Sequence, residues 1–595
     1  WLDGAAGYRL PEWYTRWRVH AHTPLSPRTI DRPVFETAAG GFRDMGFHVF
    51  TRHIKTGREG LWWRSATEGA VLDAARERNL AREIVDRAHR AGCRIVAYHR
   101  HMEDAFLAKK HPGWVCVDWR GRTLRTKRGA YLCFNSPFSD IVRDRLLELA
   151  DMGADGFYFD ERHMPKTGCW CRYCRKGFTE TTGLEPPKRR NVNDPVYRRY
   201  LDFNNLSIER TFLAWRRALH AKHPDVVMLV STNLWPAMAD RHLTHRLIRI
   251  ADSVKTEFNL PARRPQPREF NAWKQRIPDA DLRLALGYAL VRDGSGGRPF
   301  HVWIHGLPDD RSARYAVAGV IAHGGIANID VAEGLIGRQD LYPEAVAMGN
   351  RVSAAFRDVA PWHRVLVHYP EHAADRCGAD RAGAWRDALH PMTGMYGAFH
   401  HARRPVGTIL DNRLAEGVPE DAAVLCLPAP DGLNEAQRRA VAAFERRGGV
   451  TIRRKGARNW HDPEADVAKL EAAVLKEAGP AGSVTVTGGP EGLHVGFYRD
   501  ADPGRLVVTL CNRFAWTPTG RKAAQLKREG KLPPGPPPCR GVVIELDERA
   551  PGRRVARVTE AVTGRELAVR RQGERVRIEV SPFETLAVVT VLWEE

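Results

Sequence analysis

Eight short apolar runs recur through the first 358 residues, each separated from the next by polar loops and amphipathic stretches. They centre near Val19, Val49, Val96, Phe157, Leu229, Val254, Val302 and Ile329. Several intervening segments carry apolar residues at spacings of three and four, as in AVLDAARERNLAREIVDRAHRAG over residues 70–92, which reads as helix. Eight alternating β/α units predict a (β/α)8 barrel, a closed parallel sheet ringed by helices. An open doubly wound sheet would show fewer strands and a phosphate loop, and the chain has no G-x-G-x-x-G or Walker sequence.

The ends of these runs carry the chemistry. TRH, YHRH, DERH, STN, KTE and WIHG close six of them, so polar and ionisable groups collect on the one barrel face where catalytic residues are found. In DGFYFDERH, alternation sets Phe157 and Phe159 on one side and Tyr158 and Asp160 on the other, aiming Asp160 into the barrel mouth. Two strands later SVKTEF delivers Glu257 to the same face. Two carboxyl groups flanking a bond, one ionised and one protonated, are what glycoside hydrolysis requires. Rival readings are a loop cap or an Arg162 pairing for Asp160, and a salt bridge to Lys255 or Arg263 for Glu257. Glu161 is the rival acid. His53, His99, His101, His163, Lys255 and His305 are candidates for hydrogen bonds to sugar hydroxyls, and Trp62, Trp63, Trp235 and Trp303 for an apolar face beneath sugar rings.

From about Trp362 the pattern changes. RVLVHYP, RPVGTIL, AAVLCLP and GVTIRR alternate with helices, including LNEAQRRAVAAFERRGG, whose Leu433, Ala436, Ala440 and Phe444 share a face before a Gly-Gly stop. This reads as a smaller parallel α/β domain. Cys426 lies within its apolar strand VLCLP and reads as a core thiol, not a nucleophile. After about residue 480, short strands alternate with turns, which reads as an all-β domain. The expected division is a barrel over 1–358, an α/β domain over 359–480 and a β domain over 481–595.

Three of the ten cysteines, Cys169, Cys171 and Cys174, fall within six residues. Loop spacing of this kind suggests a zinc site needing a fourth ligand, for which Cys133, Cys116 and His163 are candidates. A closed four-thiolate site would be structural, leaving catalysis without a cofactor. A free-thiol cluster or a disulfide are the competing readings. The net charge of +21 calls for nucleic acid to be considered, but acidic residues interleave with the basic ones and no RNA-binding signature is present, so a solvated basic surface is the better reading. No run of about eighteen apolar residues could span a membrane. The first residues lack a signal-peptide profile, which favours the cytoplasm. A chain starting at Trp1 nevertheless points to a removed upstream segment and keeps secretion or a periplasmic location open.

YLCFNSPFSDIVRDRL, then a strand ending in acidic residues, then CWCRYCRKGF, resembles the family 42 β-galactosidases and a related group of glycosyl hydrolases. The resemblance implies that Cys133 completes the zinc site with Cys169, Cys171 and Cys174. LNEAQRRAVAAFERRGGVTI is similar to the trimerisation domain of these enzymes, an amidotransferase-related module without a nucleophile, which implies a homo-oligomer, with a trimer favoured. Family 42 enzymes carry an Asn-Glu pair on strand four and a Glu on strand seven. This chain instead ends strand four in Asp160-Glu161, and FHVWIHG offers no Glu. Asp on strand four with an acid further on is more similar to α-L-fucosidase and α-galactosidase barrels, which implies Asp160 as nucleophile and Glu257 as acid/base. The expected activity is a retaining, exo-acting glycosidase on a terminal sugar such as fucose or galactose. The alternative is a non-catalytic carbohydrate-binding or assembly protein on a degenerate barrel.

Overall fold

The eight runs are the eight strands of one barrel sheet. In this computed structural model they are β1 (Val19–Thr23), β2 (Val49–Thr56), β3 (Arg94–His99), β4 (Gly156–Phe159), β5 (Val227–Ser231), β6 (Ser253–Thr256), β7 (His301–Ile304) and β8 (Ile326–Asp330). The sheet runs β1-β8-β7-β6-β5-β4-β3-β2 and closes through a parallel β1–β2 pairing. The structure describes residues 10–23, 43–56, 60–99, 101–125, 129–160, 168–191, 193–231, 247–248, 250–256, 280–304, 307–331, 342–371, 385–453, 467–479, 483–500, 504–512, 525–532, 534–548 and 552–594, excluding the side chains of residues 53, 55–56, 280, 385–386 and 467–468.

Strand register fixes which side chains share a face. Tyr98 pairs with Tyr158, Tyr158 with Leu229, Leu229 with Ser253, and Ser231 with Lys255. Partners across parallel neighbours point the same way, and so do residues two apart on one strand. One face therefore carries Tyr98, Tyr158 and Lys255. Phe159 points the other way, packing its ring 5.1 Å from Phe212 and 5.7 Å from Trp215 of the helix Pro195–Lys222. The helices lie on the Phe159 side, so the Tyr98 and Tyr158 face is the barrel interior. Gly156 opens β4 because a Cβ there would come within 2.8 Å of the Val227 carbonyl oxygen on β5.

The helix expected over 70–92 is shorter. It runs Leu80–Arg90, because the Asn79 side chain accepts from Arg82 N and caps its first turn. Leu80, Ala81, Ile84, Val85 and Ala88 form its buried stripe.

By compactness the chain divides into two units. The first comprises 1–233, 238–256 and 328–341; the second comprises 234–237, 257–327 and 342–595. Within the second unit a four-stranded parallel sheet is ordered Val406–Leu410, Val365–Tyr369, Val424–Leu427, Val450–Arg453. Cys426 is fully buried in the third of these strands. The helix Glu435–Arg446 beside it starts with a capping box between Asn434 and Gln437. Its buried stripe is rotated from the expected one. Leu433, Gln437, Val441 and Phe444 are buried while Ala436 and Ala440 are half-buried, because the Gln437 amide donates inward to Asp411 O and Oδ1 at 2.9 and 2.8 Å. A six-stranded and a four-stranded antiparallel sheet follow, with one core running through both that includes Val486, Val508, Ile544 and Val589. Val359–Pro361 pairs with His494–Asp500 and so joins the C-terminal sheets ahead of the parallel one.

Candidate active site at the end of strand four

Asp160 is the first residue past β4 and is half-buried. Tyr158, two residues earlier on the same face, donates its hydroxyl to Oδ1 at 2.5 Å. Tyr98, its register partner on β3, donates to Oδ2. The two phenol rings meet edge to face, 5.1 Å apart at 68°, and both are essentially buried. The Lys255 ammonium, fully buried at the end of β6, sits 3.6 Å from the centroid of the Tyr158 ring. Hydroxyl donors on both oxygens favour the charged carboxylate over the neutral acid, because the anion is the stronger acceptor. A cation over the face of a phenol is attracted by the ring and strengthens its O–H as a donor. The group is a fixed carboxylate at the C-terminal end of a barrel strand, where an electrophilic carbon could be attacked.

The expected pocket residues are distributed unevenly. Lys255, expected to meet sugar hydroxyls, lies against Tyr158. His99 is buried, register-paired with Phe159, and its ring is 6.4 Å from that side chain. His101 stands among Phe134, Phe159, Phe212 and Trp215, with centroids 5.2 to 6.3 Å away, and is 1% exposed. It packs in the helix layer, with its Nδ1 3.4 Å from the His99 carbonyl oxygen. Trp62 is fully buried with the Arg52 guanidinium 6.0 Å over its ring, and Trp63 donates Nε1–H to Glu148 Oε2 at 2.6 Å, so neither offers an open face. Trp303 is half-buried on β7. Glu257, Glu161, His163, His305, Trp235 and the side chain of His53 lie outside the described residues. Tyr98 was the site residue that sequence reasoning passed over. The signal for it is alternation in RIVAYH, which puts Tyr98 and His99 on opposite faces.

Around the start of the helix Arg172–Thr182, Cys133, Cys169, Cys171 and Cys174 are all buried, with their sulfurs within 4.8 Å of one another. A tetrahedral ion with bonds of about 2.3 Å would set its sulfurs about 3.8 Å apart, so this spacing suits a metal ion. Donors support the sulfurs. The Asn135 amide donates to Cys174 Sγ at 3.2 Å, and Cys171 N donates to Cys169 Sγ at 3.5 Å. Tyr200 holds the loop by donating to the Cys169 carbonyl at 2.6 Å. Cys116 adjoins the cluster as a fifth thiol. Hydrogen bonding from Cys116, opposed by Cys169 and helped by Cys171 and Cys174, holds the Cys133 thiol below its ordinary range.

The chain thus carries a closed (β/α)8 barrel with an anchored carboxylate past strand four, followed by a parallel α/β sheet and two antiparallel sheets. Known proteins share this architecture. Residues 47–161 match the family described as hypothetical glycosyl hydrolase 6, a stretch that contains Tyr98, Cys133, Tyr158 and Asp160. No curated protein sequence matches the chain. Among solved structures, the α-L-fucosidase isoenzyme 2 from Paenibacillus thiaminolyticus superposes with a TM-score of 0.69 at 14% identity, covering 97% of this chain and 100% of its own. The β-galactosidase from Bacillus circulans sp. alkalophilus gives 0.64 at 12%, with 97% and 99% covered. Gan42B, a GH42 β-galactosidase from G. stearothermophilus, gives 0.63 at 12%, with 97% and 98% covered, in the structure of a catalytic mutant. Identities this low speak for the shared fold.

Proposed function

We propose that the chain is a retaining glycoside hydrolase acting on a terminal sugar such as fucose or galactose, with Asp160 as nucleophile and Glu257 as acid/base. The observation that carries this reading is the Asp160 carboxylate, anchored on both oxygens by Tyr98 and Tyr158 at the end of β4. In the first step an Asp160 oxygen bonds to the anomeric carbon as the glycosidic C–O bond breaks, and the Glu257 proton passes to the departing oxygen. A water then attacks the same carbon and gives a proton to the Glu257 carboxylate, and the sugar–Asp160 ester bond breaks. Tyr98 and Tyr158 keep the nucleophile charged and aimed, and Lys255 supports Tyr158.

The four cysteines fit a structural Zn2+, since soft thiolates suit zinc and four of them leave no position for water or substrate. The division into a barrel over 1–358, an α/β domain over 359–480 and a β domain over 481–595, and assembly into trimers through the α/β domain, belong to the same proposal.

An aryl glycoside panel tests it. Asp160→Asn should abolish turnover of every substrate the wild type cleaves. Glu257→Gln should hurt poor leaving groups most and be partly rescued by azide. If Glu161→Gln shows that leaving-group pattern while Glu257→Gln behaves as wild type, the acid is Glu161. Absence of turnover across the panel, with sugar binding retained, would leave the non-catalytic carbohydrate-binding reading.

A further inference from the structure

Within the second unit, between the parallel sheet and the C-terminal sandwich, lies a cavity of about 430 Å3. Its size is that of a small-molecule site. Trp362 and Trp593 contribute indole surface to it. Trp362 is 9% exposed, and its Nε1–H is buried with no hydrogen-bond partner among the described residues. Three arginines line the same space. Arg364 donates to the Asp421 carbonyl at 2.7 Å, Arg499 pairs with the Asp421 carboxylate beside the Trp362 ring, and Arg505 reaches Asp500 and the Arg357 carbonyl. Each guanidinium offers five N–H donors, so each uses only part of its capacity on these partners.

We infer that this cavity is a second, non-catalytic binding site for an anionic saccharide, one bearing a carboxylate or a sulfate ester. The surplus is of donors, which selects a ligand rich in acceptors. Planar guanidinium groups match carboxylate and sulfate oxygens. The half-buried Trp593 indole can take the apolar C–H face of a sugar ring, with Trp362 packed behind the Arg499 guanidinium. Two carboxylates, Asp421 and Asp547, also line the cavity. They accept from sugar hydroxyls but repel a polyphosphate, which favours a sugar whose acidic groups each carry a single charge over a nucleotide. The choice of a sugar ligand rests on the glycosidase reading, whereas the cavity and its donors do not.

The test is calorimetric titration of the full chain with four probes: a galacturonate tetrasaccharide, a sulfated galactose tetrasaccharide, a neutral galactose tetrasaccharide and ATP. At least one acidic sugar should bind tenfold or more tightly than the neutral one, and the arm that binds identifies the acidic group. Asp160→Asn should retain that affinity. Arg364→Met should weaken it at least tenfold, with unchanged melting temperature and unchanged aryl glycoside turnover. Trp593→Ala gives a second variant should Arg364→Met not fold. Equal binding of neutral and acidic sugars, tighter binding of ATP, or full affinity in a folded Arg364→Met or Trp593→Ala variant would overturn the inference. Turnover of aryl glycosides is read separately, so loss of the barrel activity is not confused with loss of this site.

Discussion

Replacing Tyr158 by Phe removes one hydroxyl and nothing else. The ring stays, and with it the contact to Lys255 3.6 Å away. What is lost is the 2.5 Å hydrogen bond to Asp160 Oδ1, while the bond from Tyr98 to Oδ2 remains. A hydrogen bond to a charged group contributes about 1.5–3 kcal/mol. Its loss disfavours the anion, and about 1.36 kcal/mol corresponds to one pH unit. Asp160 is half-buried, so water replaces part of the lost interaction and the lower end of the range applies. The acidic limb of the kcat/KM profile should therefore move upward by about one pH unit, because a carboxylate with a weaker hold on its charge keeps its proton to higher pH. The profile is read on an aryl glycoside with a good leaving group, between pH 3 and pH 8. An unmoved acidic limb, with kcat/KM within twofold of wild type throughout, would refute the claim that Tyr158 supports the reacting carboxylate.

Cys171→Ser should release zinc and lower the melting temperature. A zinc-free variant that melts and turns over like wild type would exclude a structural metal. Arg145 is fully buried and donates to Asp104 at 2.9 Å and to Thr67 Oγ1 at 3.0 Å. Arg145→Met leaves Asp104 buried without that partner and should cost about 3–5 kcal/mol of stability in denaturant titration. Less than 1 kcal/mol would contradict the structure around it. Light scattering in dilute buffer should give an oligomer, a trimer by the proposal, and a single 67 kDa species would exclude assembly.

The barrel was legible because its signal is periodic. Each strand is a short apolar run and each helix an apolar stripe, so all eight strands could be placed from the sequence. The cysteine cluster was legible too, since thiol spacing survives folding. Helix limits were less so. Asn79 ends a run of acceptable helix formers only because its side chain caps Arg82 N, and Gln437 is buried only because Asp411 waits for its amide. His101 is hard to place from the sequence for a related reason. At a strand end, one residue of register decides whether a side chain meets the pocket or the helix layer. His101 ends up in the aromatic layer and Tyr98 at the carboxylate. The partner of Lys255 could not be read at all, because a cation lying over a ring on a strand two away leaves no mark in the sequence.

In the proposed reaction Asp160 forms the bond to sugar. A 2-fluoro glycoside with a good leaving group slows the second step and traps the intermediate, and peptide mapping by mass spectrometry then locates the label. The expected result is one sugar per chain, esterified to Asp160 and absent from Asp160→Asn. Label on Glu161 or Glu257, or continued turnover with no trapped ester, would contradict it.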